Sequence, residues 1–132
     1  GGHTRRLLPF PIFLPTHIPP GLKPQTPYID SGGIDYLVAI HYHDSHGQVA
    51  LAVADGATFC CIHEDPRKYG IPVKLRSGIT AHLLDFGVSI GSLDLWWEQS
   101  GSFVTVSGPR LSKVELVRIA RSMSPTAVPK GS

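Results

Sequence analysis

The sequence predicts an α+β fold with a curved antiparallel β-sheet, one C-terminal amphipathic helix packed on the sheet, and an N-terminal proline-rich extended strap. Three observations support this prediction. Runs rich in β-branched and aromatic residues, separated by glycine-containing turns, recur between residues 34 and 107. Helical periodicity is confined to the segment after residue 111, and seven prolines lie within residues 9–27.

Length and composition predict a single domain. The chain has 132 residues, of which 42% are apolar and 17% charged, so it can bury one hydrophobic core. We expect this domain to cover residues 9–124, with disordered tails at residues 1–8 and 125–132. The net charge is only +2 and the basic residues are scattered, so we do not expect nucleic acid as a partner.

The first predicted element is the strap at residues 9–27. Each proline fixes φ and lacks an amide proton, so the segment should be extended and irregular. Its apolar residues are too numerous for a solvated linker, and we therefore expect it to lie along the core. These apolar residues are Phe10, Ile12, Phe13, Leu14, Ile18 and Leu22.

Seven strand candidates follow the strap. They are residues 34–42, 48–54, 58–63, 71–76, 79–86, 92–98 and 102–107. The first two candidates flank a short polar turn and the last two flank Ser100-Gly101, so each of these pairs predicts a hairpin. Apolar and polar positions alternate within residues 92–98, which predicts one buried face and one partly hydrated face.

The predicted helix begins at Ser112 and runs to about Met123. Ser112 and Glu115 form a capping box, in which each side chain satisfies an amide at the start of the helix. Pro125 ends the helix, because proline disfavours the helical conformation of the residue before it. One face of this helix carries Val114, Val117, Ala120 and Met123.

A series of short motifs carries a resemblance to a known family. The motifs are Leu14-Pro15, Ile18-Pro19-Pro20-Gly21-Leu22, the turn after Tyr42, residues 95–101 and residues 111–123. Over roughly residues 12–123 the chain resembles an uncharacterised domain at the extracytoplasmic C-terminus of membrane-anchored anti-sigma-factor-like proteins and of lipoproteins. It is also similar to the C-terminal domain of MucB/RseB-type periplasmic regulators.

The resemblance implies a non-enzymatic sensory or regulatory domain that binds a signal ligand or a protein partner. It implies an extracytoplasmic location, with anchoring to the cytoplasmic membrane through a segment outside this sequence. The chain begins Gly1-Gly2-His3 without a leader, so we expect it to be a fragment of a longer protein. The shared motifs specify geometry rather than chemistry, and no catalytic residue carries over.

A second hypothesis is a metal-binding or redox-responsive module that holds Zn or Cu. Its ligands would be His41, His43, His46, Cys60, Cys61 and His63. Residues two apart on a strand project to the same side, and a histidine in the following turn can fold back towards them. The clusters lack the paired spacing of structural zinc sites, so partly exposed histidines and buried cysteines are the alternative interpretation.

Nucleophilic catalysis is a third possibility that the residue types allow. The candidates are Cys60 or Cys61 with His63, His41 or His82 and Asp85. The sequence has no nucleophile elbow, P-loop, dinucleotide fingerprint or His-Glu-Xaa-Xaa-His motif, and we therefore do not expect an enzyme.

Three aromatic residues are candidates for a partner or ligand surface: Trp96, Trp97 and Tyr42. The two tryptophans are adjacent on a predicted strand and must point to opposite faces of the sheet. We expect one to lie in the core. The other caps a ligand groove or a partner surface, or else it packs under the proline-rich strap.

Overall fold

Most of the described chain is antiparallel β-sheet, so the predicted α+β class is wrong. The computed structural model describes residues 6–7, 11–30, 37–56, 65–76, 78–85, 92–126 and 129–130. Strands make up 56% and helices 14%, and one described helix has seven or more residues. The prediction failed because the proline-rich strap and the segment after the long helix add short strands. Proline is tolerated at the edges of sheets, where a missing amide proton breaks no ladder bond.

The elements follow one another in this order along the chain. Six strands come first: β1 (Arg6–Leu7), β2 (Ile12–Pro15), β3 (Lys23–Pro24), β4 (Tyr28–Asp30), β5 (Leu37–His43) and β6 (Val49–Gly56). After them come α1 (Pro66–Tyr69), β7 (Ile71–Arg76), β8 (Ile79–Leu84), β9 (Leu93–Gln99) and β10 (Ser102–Gly108). The last elements are α2 (Lys113–Arg121), β11 (Met123–Thr126) and β12 (Pro129–Lys130).

The main sheet has eight antiparallel strands. Their order is β3-β5-β6-β10-β9-β8-β7, and β4 also pairs with β5. The two predicted hairpins are confirmed as β5–β6 and β9–β10. The strand predicted at residues 58–63 lies outside the described residues.

Alternation along the strands gives this sheet two different faces. The core face carries Val38, Tyr42, Leu51, Val53, Leu95, Trp97, Val104 and Val106, all buried. The opposite face, hereafter the second face, carries Ala39, His41, Ala52, Ala54, Asp94, Trp96, Thr105 and Ser107. The strap and α2 complete the core, because Phe13, Leu116 and Ile119 are each 0% exposed and belong to the same apolar cluster.

The long helix α2 begins where the capping box predicted. The Ser112 side chain accepts a hydrogen bond from the Glu115 amide at 3.2 Å, and the helix ends at Arg121. Of the face predicted from the sequence, Val114 is the exception at 71% exposed, and the other three residues are buried: Val117, Ala120 and Met123. None of the helices in the described ranges is both long and apolar enough to cross a membrane.

The two ends of the chain pair with each other. β2 pairs with β11 in an antiparallel ladder that places Phe13 opposite Pro125. β1 pairs with β12, with Arg6 opposite Lys130. The segments predicted to be disordered tails therefore contain strand residues.

Candidate functional site

The histidines of the proposed metal site lie on β5 and in the turn after it. His41 is exposed and His43 is partly exposed, and they flank the buried Tyr42. Within the described ranges, no group of three or more His, Cys, Asp or Glu side chains is arranged to hold a metal ion. Cys60, Cys61 and His63 lie outside those ranges.

The β5–β6 turn is organised by the carboxylate of Asp44. One oxygen, Oδ1, accepts from the backbone amides of His46 at 2.8 Å and Gln48 at 3.0 Å. The other oxygen, Oδ2, accepts from the Arg110 guanidinium at 3.0 Å. The Gln48 amide contributes most to the lowered pKa of Asp44. Both carboxylate oxygens therefore accept hydrogen bonds that hold the turn, and His46 lies at the exposed tip of the turn.

Of the residues in the nucleophile hypothesis, the structure describes His41, His82 and Asp85, whereas Cys60, Cys61 and His63 lie outside the described ranges. His82 lies on β8 beneath the end of α1, where a Cβ atom added at Gly70 would come within 2.8 Å of the His82 Cβ. Its Nδ1 atom is buried and makes no hydrogen bond to any described residue. Asp85 is exposed at the end of the same strand.

Two of the three aromatic surface candidates lie in the core. Trp97 is 1% exposed and is the core tryptophan that the sequence led us to expect, and Tyr42 is also buried at 4% exposed, so neither side chain lies at the surface. Both occupy core-face positions, as Leu95 does, and the Trp97 indole donates to the Gln99 side chain at 3.2 Å. Trp96 is only partly buried, and it lies on the second face.

On the second face, a row of small side chains lies between two aromatic side chains. Ala39, Ala54 and Thr105 lie opposite one another on β5, β6 and β10. The row continues to Trp96 on one side and to Tyr28, which is 60% exposed, on the other. Paired residues project to the same side of a sheet, so the small residues form a shallow strip between two aromatic rings.

A buried carboxyl lies beside this row. Asp94 is 4% exposed and accepts a hydrogen bond from the Ser92 hydroxyl at 3.2 Å. Burial raises the pKa of Asp94, against the lowering effects of hydrogen bonds from Ser107, Ser92 and Trp96. Alternation along the strand predicted that Asp94 is hydrated. Its partner Ser107 lies on the neighbouring strand, and the sequence alone does not show which strands are neighbours.

A second buried carboxyl lies on the core face. Asp55 is 1% exposed, and its Oδ2 atom accepts from the Phe13 amide at 3.1 Å and the Ser102 hydroxyl at 2.9 Å. Burial raises the pKa of Asp55 to about 7. A sequence signal existed but was missed: Asp55 continues the core-facing positions of Leu51 and Val53.

The strap is also fastened to the end of α2. The Ser122 hydroxyl accepts from the amides of Thr16 at 3.1 Å and His17 at 3.0 Å, and it donates to the Ile119 carbonyl at 2.7 Å. The His17 Nε2 atom lies 3.0 Å from the Glu115 Oε1 atom. The strap therefore contacts both the sheet and the helix.

Comparisons with known proteins found no match. No protein-family model, no curated protein and no solved structure is significantly similar to this chain. The resemblance to extracytoplasmic regulators stays a prediction from the sequence motifs. The site is therefore interpreted from its own geometry.

Proposed function

We propose that this chain is a non-enzymatic regulatory domain that binds an extended segment of a protein partner on the second face of its sheet. The observation that carries this proposal is the strip of Ala39, Ala54 and Thr105 between Tyr28 and Trp96. Small side chains let a bound backbone approach the sheet, and aromatic side chains are common anchors at protein interfaces.

The dimensions of the strip fit a peptide better than a small signal molecule. Tyr28 and Trp96 are on strands separated by four strand spacings. At about 4.8 Å per spacing this is roughly 19 Å, which an extended peptide spans with about six residues. The neighbouring row offers polar groups for the partner's backbone, with His41 and Ser107 both at least partly exposed.

The wider role follows the resemblance rather than the geometry. We propose that the domain acts outside the cytoplasmic membrane, in a membrane-anchored regulator, and relays occupancy through its N-terminal segment. The contacts of the strap with Asp55 and Ser122 support such a relay, because they couple the N-terminal segment to the sheet and to α2. No contact among the described residues favours the metal or redox hypothesis, which stays a prediction.

Peptide selection followed by competition tests the proposed surface. The protein would be used to select binders from a displayed library of random peptides, and the selected peptide would be titrated into the Thr105→Arg variant. An arginine at this end of the strip, beside Trp96, should abolish binding, because its side chain occupies the path of the peptide. The matched control is Val114→Ala, since Val114 is 71% exposed on α2, which packs against the core face.

The two variants give opposite outcomes if the proposal is correct. Loss of binding in Thr105→Arg with retention in Val114→Ala supports it, provided that both circular dichroism spectra match the parent. Selected peptides that bind Thr105→Arg as tightly as the parent would exclude the second face as the binding surface. If a small molecule binds the strip and no peptide does, the partner of this surface is a signal ligand and not a protein segment.

A further inference from the structure

The carboxyl of Asp55 joins two parts of the chain that are far apart in sequence. It receives hydrogen bonds from the Phe13 amide on β2 and from the Ser102 hydroxyl on β10. Phe13 lies opposite Pro125 in the β2–β11 ladder, and its amide donates to Asp55 on β6. Asp55 is therefore a direct polar link between the strap and the sheet.

We propose that Asp55 is an acid-base latch for β2: its protonated carboxyl holds Ile12–Pro15 against the sheet, and loss of the proton weakens that attachment. Both described donors converge on one oxygen, Oδ2, which can accept them in the neutral and in the ionised form of the carboxyl. The cross-strand neighbours of Asp55 are Val38 and Val104, whose side chains cannot solvate a negative charge. An ionised Asp55 gains hydration when β2 separates from the sheet.

The surroundings of Asp55 favour the neutral form at mildly acidic pH. Burial is the largest influence and raises the pKa of Asp55 to about 7, whereas the bonds from Ser102 and Phe13 act in the opposite direction. An ionisation near neutrality means that a modest change of pH alters the population of the latched state.

Among the described residues, no other charged group faces this carboxyl from β2, β6 or β10, because these strands carry no other titratable side chain. β5 carries His41, Tyr42 and His43. His41 alternates with Tyr42 and so points to the second face, whereas His43 lies beyond a β-bulge, five residues from Val38. Tyr42 lies four residues from Val38, roughly 13 Å along the strand, and burial raises its pKa, which keeps it neutral. Helix α2, which contacts β2, carries Lys113, Glu115, Arg118 and Arg121 at exposed or partly exposed positions.

This latch acts on the chain's own N-terminal segment and goes beyond the proposed partner surface. The two ideas use opposite faces of the sheet. Failure of the peptide experiment would leave the latch intact, and a missing latch would not affect peptide binding at the strip.

Amide hydrogen exchange of the parent protein tests the latch. After correction for the intrinsic pH dependence of exchange, the protection of the Phe13 amide should fall roughly tenfold between pH 6 and pH 8.5. The Val106 amide, in the middle of the sheet, should remain better protected than the Phe13 amide at each pH. Equal protection of the two amides would mean that β2 opens only when the whole domain unfolds, which would overturn the proposal.

Variants identify the responsible carboxyl. Asp55→Asn keeps an acceptor oxygen but cannot ionise, so the protection of Phe13 should no longer depend on pH. The matched control is Asp94→Asn, which changes the other buried carboxyl and should leave the fall in protection unchanged. A fall that persists in Asp55→Asn, or a flat profile in the parent, would refute the latch.

A second measurement covers the case in which Asp55→Asn does not fold. Carbon-detected NMR of the parent gives the titration midpoint of the Asp55 carboxyl, which should coincide with the midpoint of the change in Phe13 protection. Ser102→Ala removes a donor that favours the ionised form, so both midpoints should move together to higher pH. Midpoints that differ in the parent, or that move independently in Ser102→Ala, would contradict the proposal.

Discussion

Arg76 and Arg121 each bind the backbone of the element that carries the other. The Arg76 guanidinium donates to the carbonyls of Ala120, Arg121 and Met123 at 3.3, 3.3 and 3.2 Å. In return, the Arg121 guanidinium donates to the Lys74 carbonyl at 2.8 Å. The edge strand β7 and the end of α2 are therefore joined in both directions. The cation of Arg76 also lies where the carbonyl dipoles of the helix concentrate negative potential.

Replacing Arg76 by alanine should destabilise the domain. The change removes charge-assisted bonds from one guanidinium nitrogen, Nη2, to three carbonyls, two of which are partly buried. We expect the free energy of unfolding to fall by about 2–3 kcal/mol. Arg76→Lys should recover only part of the loss, because the ammonium nitrogen lies one bond closer to the backbone than Nη2 and reaches the three carbonyls less well. Urea unfolding at neutral pH measures both effects.

Arg118→Ala is the matched control for this prediction. Arg118 belongs to the same helix, but its side chain is 61% exposed and its contact with Glu115 is an ion pair at 3.8 Å. Such exposed pairs contribute about 0.5 kcal/mol. An Arg76→Ala variant no less stable than Arg118→Ala would show that the contacts of Arg76 contribute little to stability.

Local sequence patterns predicted the positions of the strands and of the long helix better than they predicted the contacts between these elements. Alternation and turn residues indicated β5 to β10 correctly, with the β9–β10 turn at Ser100-Gly101, and the capping box placed the start of α2 at Ser112. These signals depend on residues within a few positions of one another. The bonds from Asp55 to Phe13 and from Arg76 to α2 join residues more than 40 positions apart. They depend on strand order and register, which no local pattern specifies.

The candidate site was missed for the same reason. His41, His43 and His46 attracted attention because they are close in sequence, yet the structure orients that turn through Asp44 and Arg110. The small residues of the strip on the second face come from three different strands. Single small residues on separate strands give no motif, so such a surface is visible only after the strands are paired.

The stability of the domain should fall as the pH rises through the mildly acidic range. The pKa of Asp55 is raised from 3.8 to about 7, so between these values the folded state binds a proton that the unfolded state has released. The free energy of unfolding therefore decreases with pH in this interval. From pH 5 to pH 8 the loss should be on the order of 2–3 kcal/mol. The raised pKa of Asp94 acts in the same direction.

Urea unfolding of the parent and of Asp55→Asn at both pH values checks this dependence. Asp55→Asn should lose most of the difference, because an amide does not titrate. Asp65→Asn serves as the control, since the pKa of Asp65 is lowered and its contribution is lost only at more acidic pH. A parent protein that is more stable at pH 8 than at pH 5 would contradict the direction of the prediction.

The β5–β6 turn should depend on the carboxylate of Asp44. Asp44→Ala leaves the amides of His46 and Gln48 without their acceptor and removes one of the two partners of Arg110. We expect a lower free energy of unfolding, and a smaller loss for Asp44→Asn, whose oxygen can still accept from the amides. Thermal unfolding with NMR of the His46 amide measures both. Equal losses in the two variants would show that the charge of Asp44, rather than its acceptor geometry, holds the turn.

The β9–β10 turn offers a stabilising substitution. Ser100 and Gly101 connect the strands with φ values of 53° and 80°, and positive φ at both central residues is typical of a type I′ turn. Serine is strained in this conformation, whereas asparagine adopts it readily, so Ser100→Asn should raise the free energy of unfolding by about 0.5–1 kcal/mol. Gly101→Ala should lower it, because a Cβ atom is disfavoured at a φ of 80° even though nothing lies within 4 Å of its position. Urea unfolding should therefore give changes of opposite sign in the free energy of unfolding of the two variants. A Ser100→Asn variant that is less stable than the parent would show that relief of backbone strain does not decide the stability of this turn.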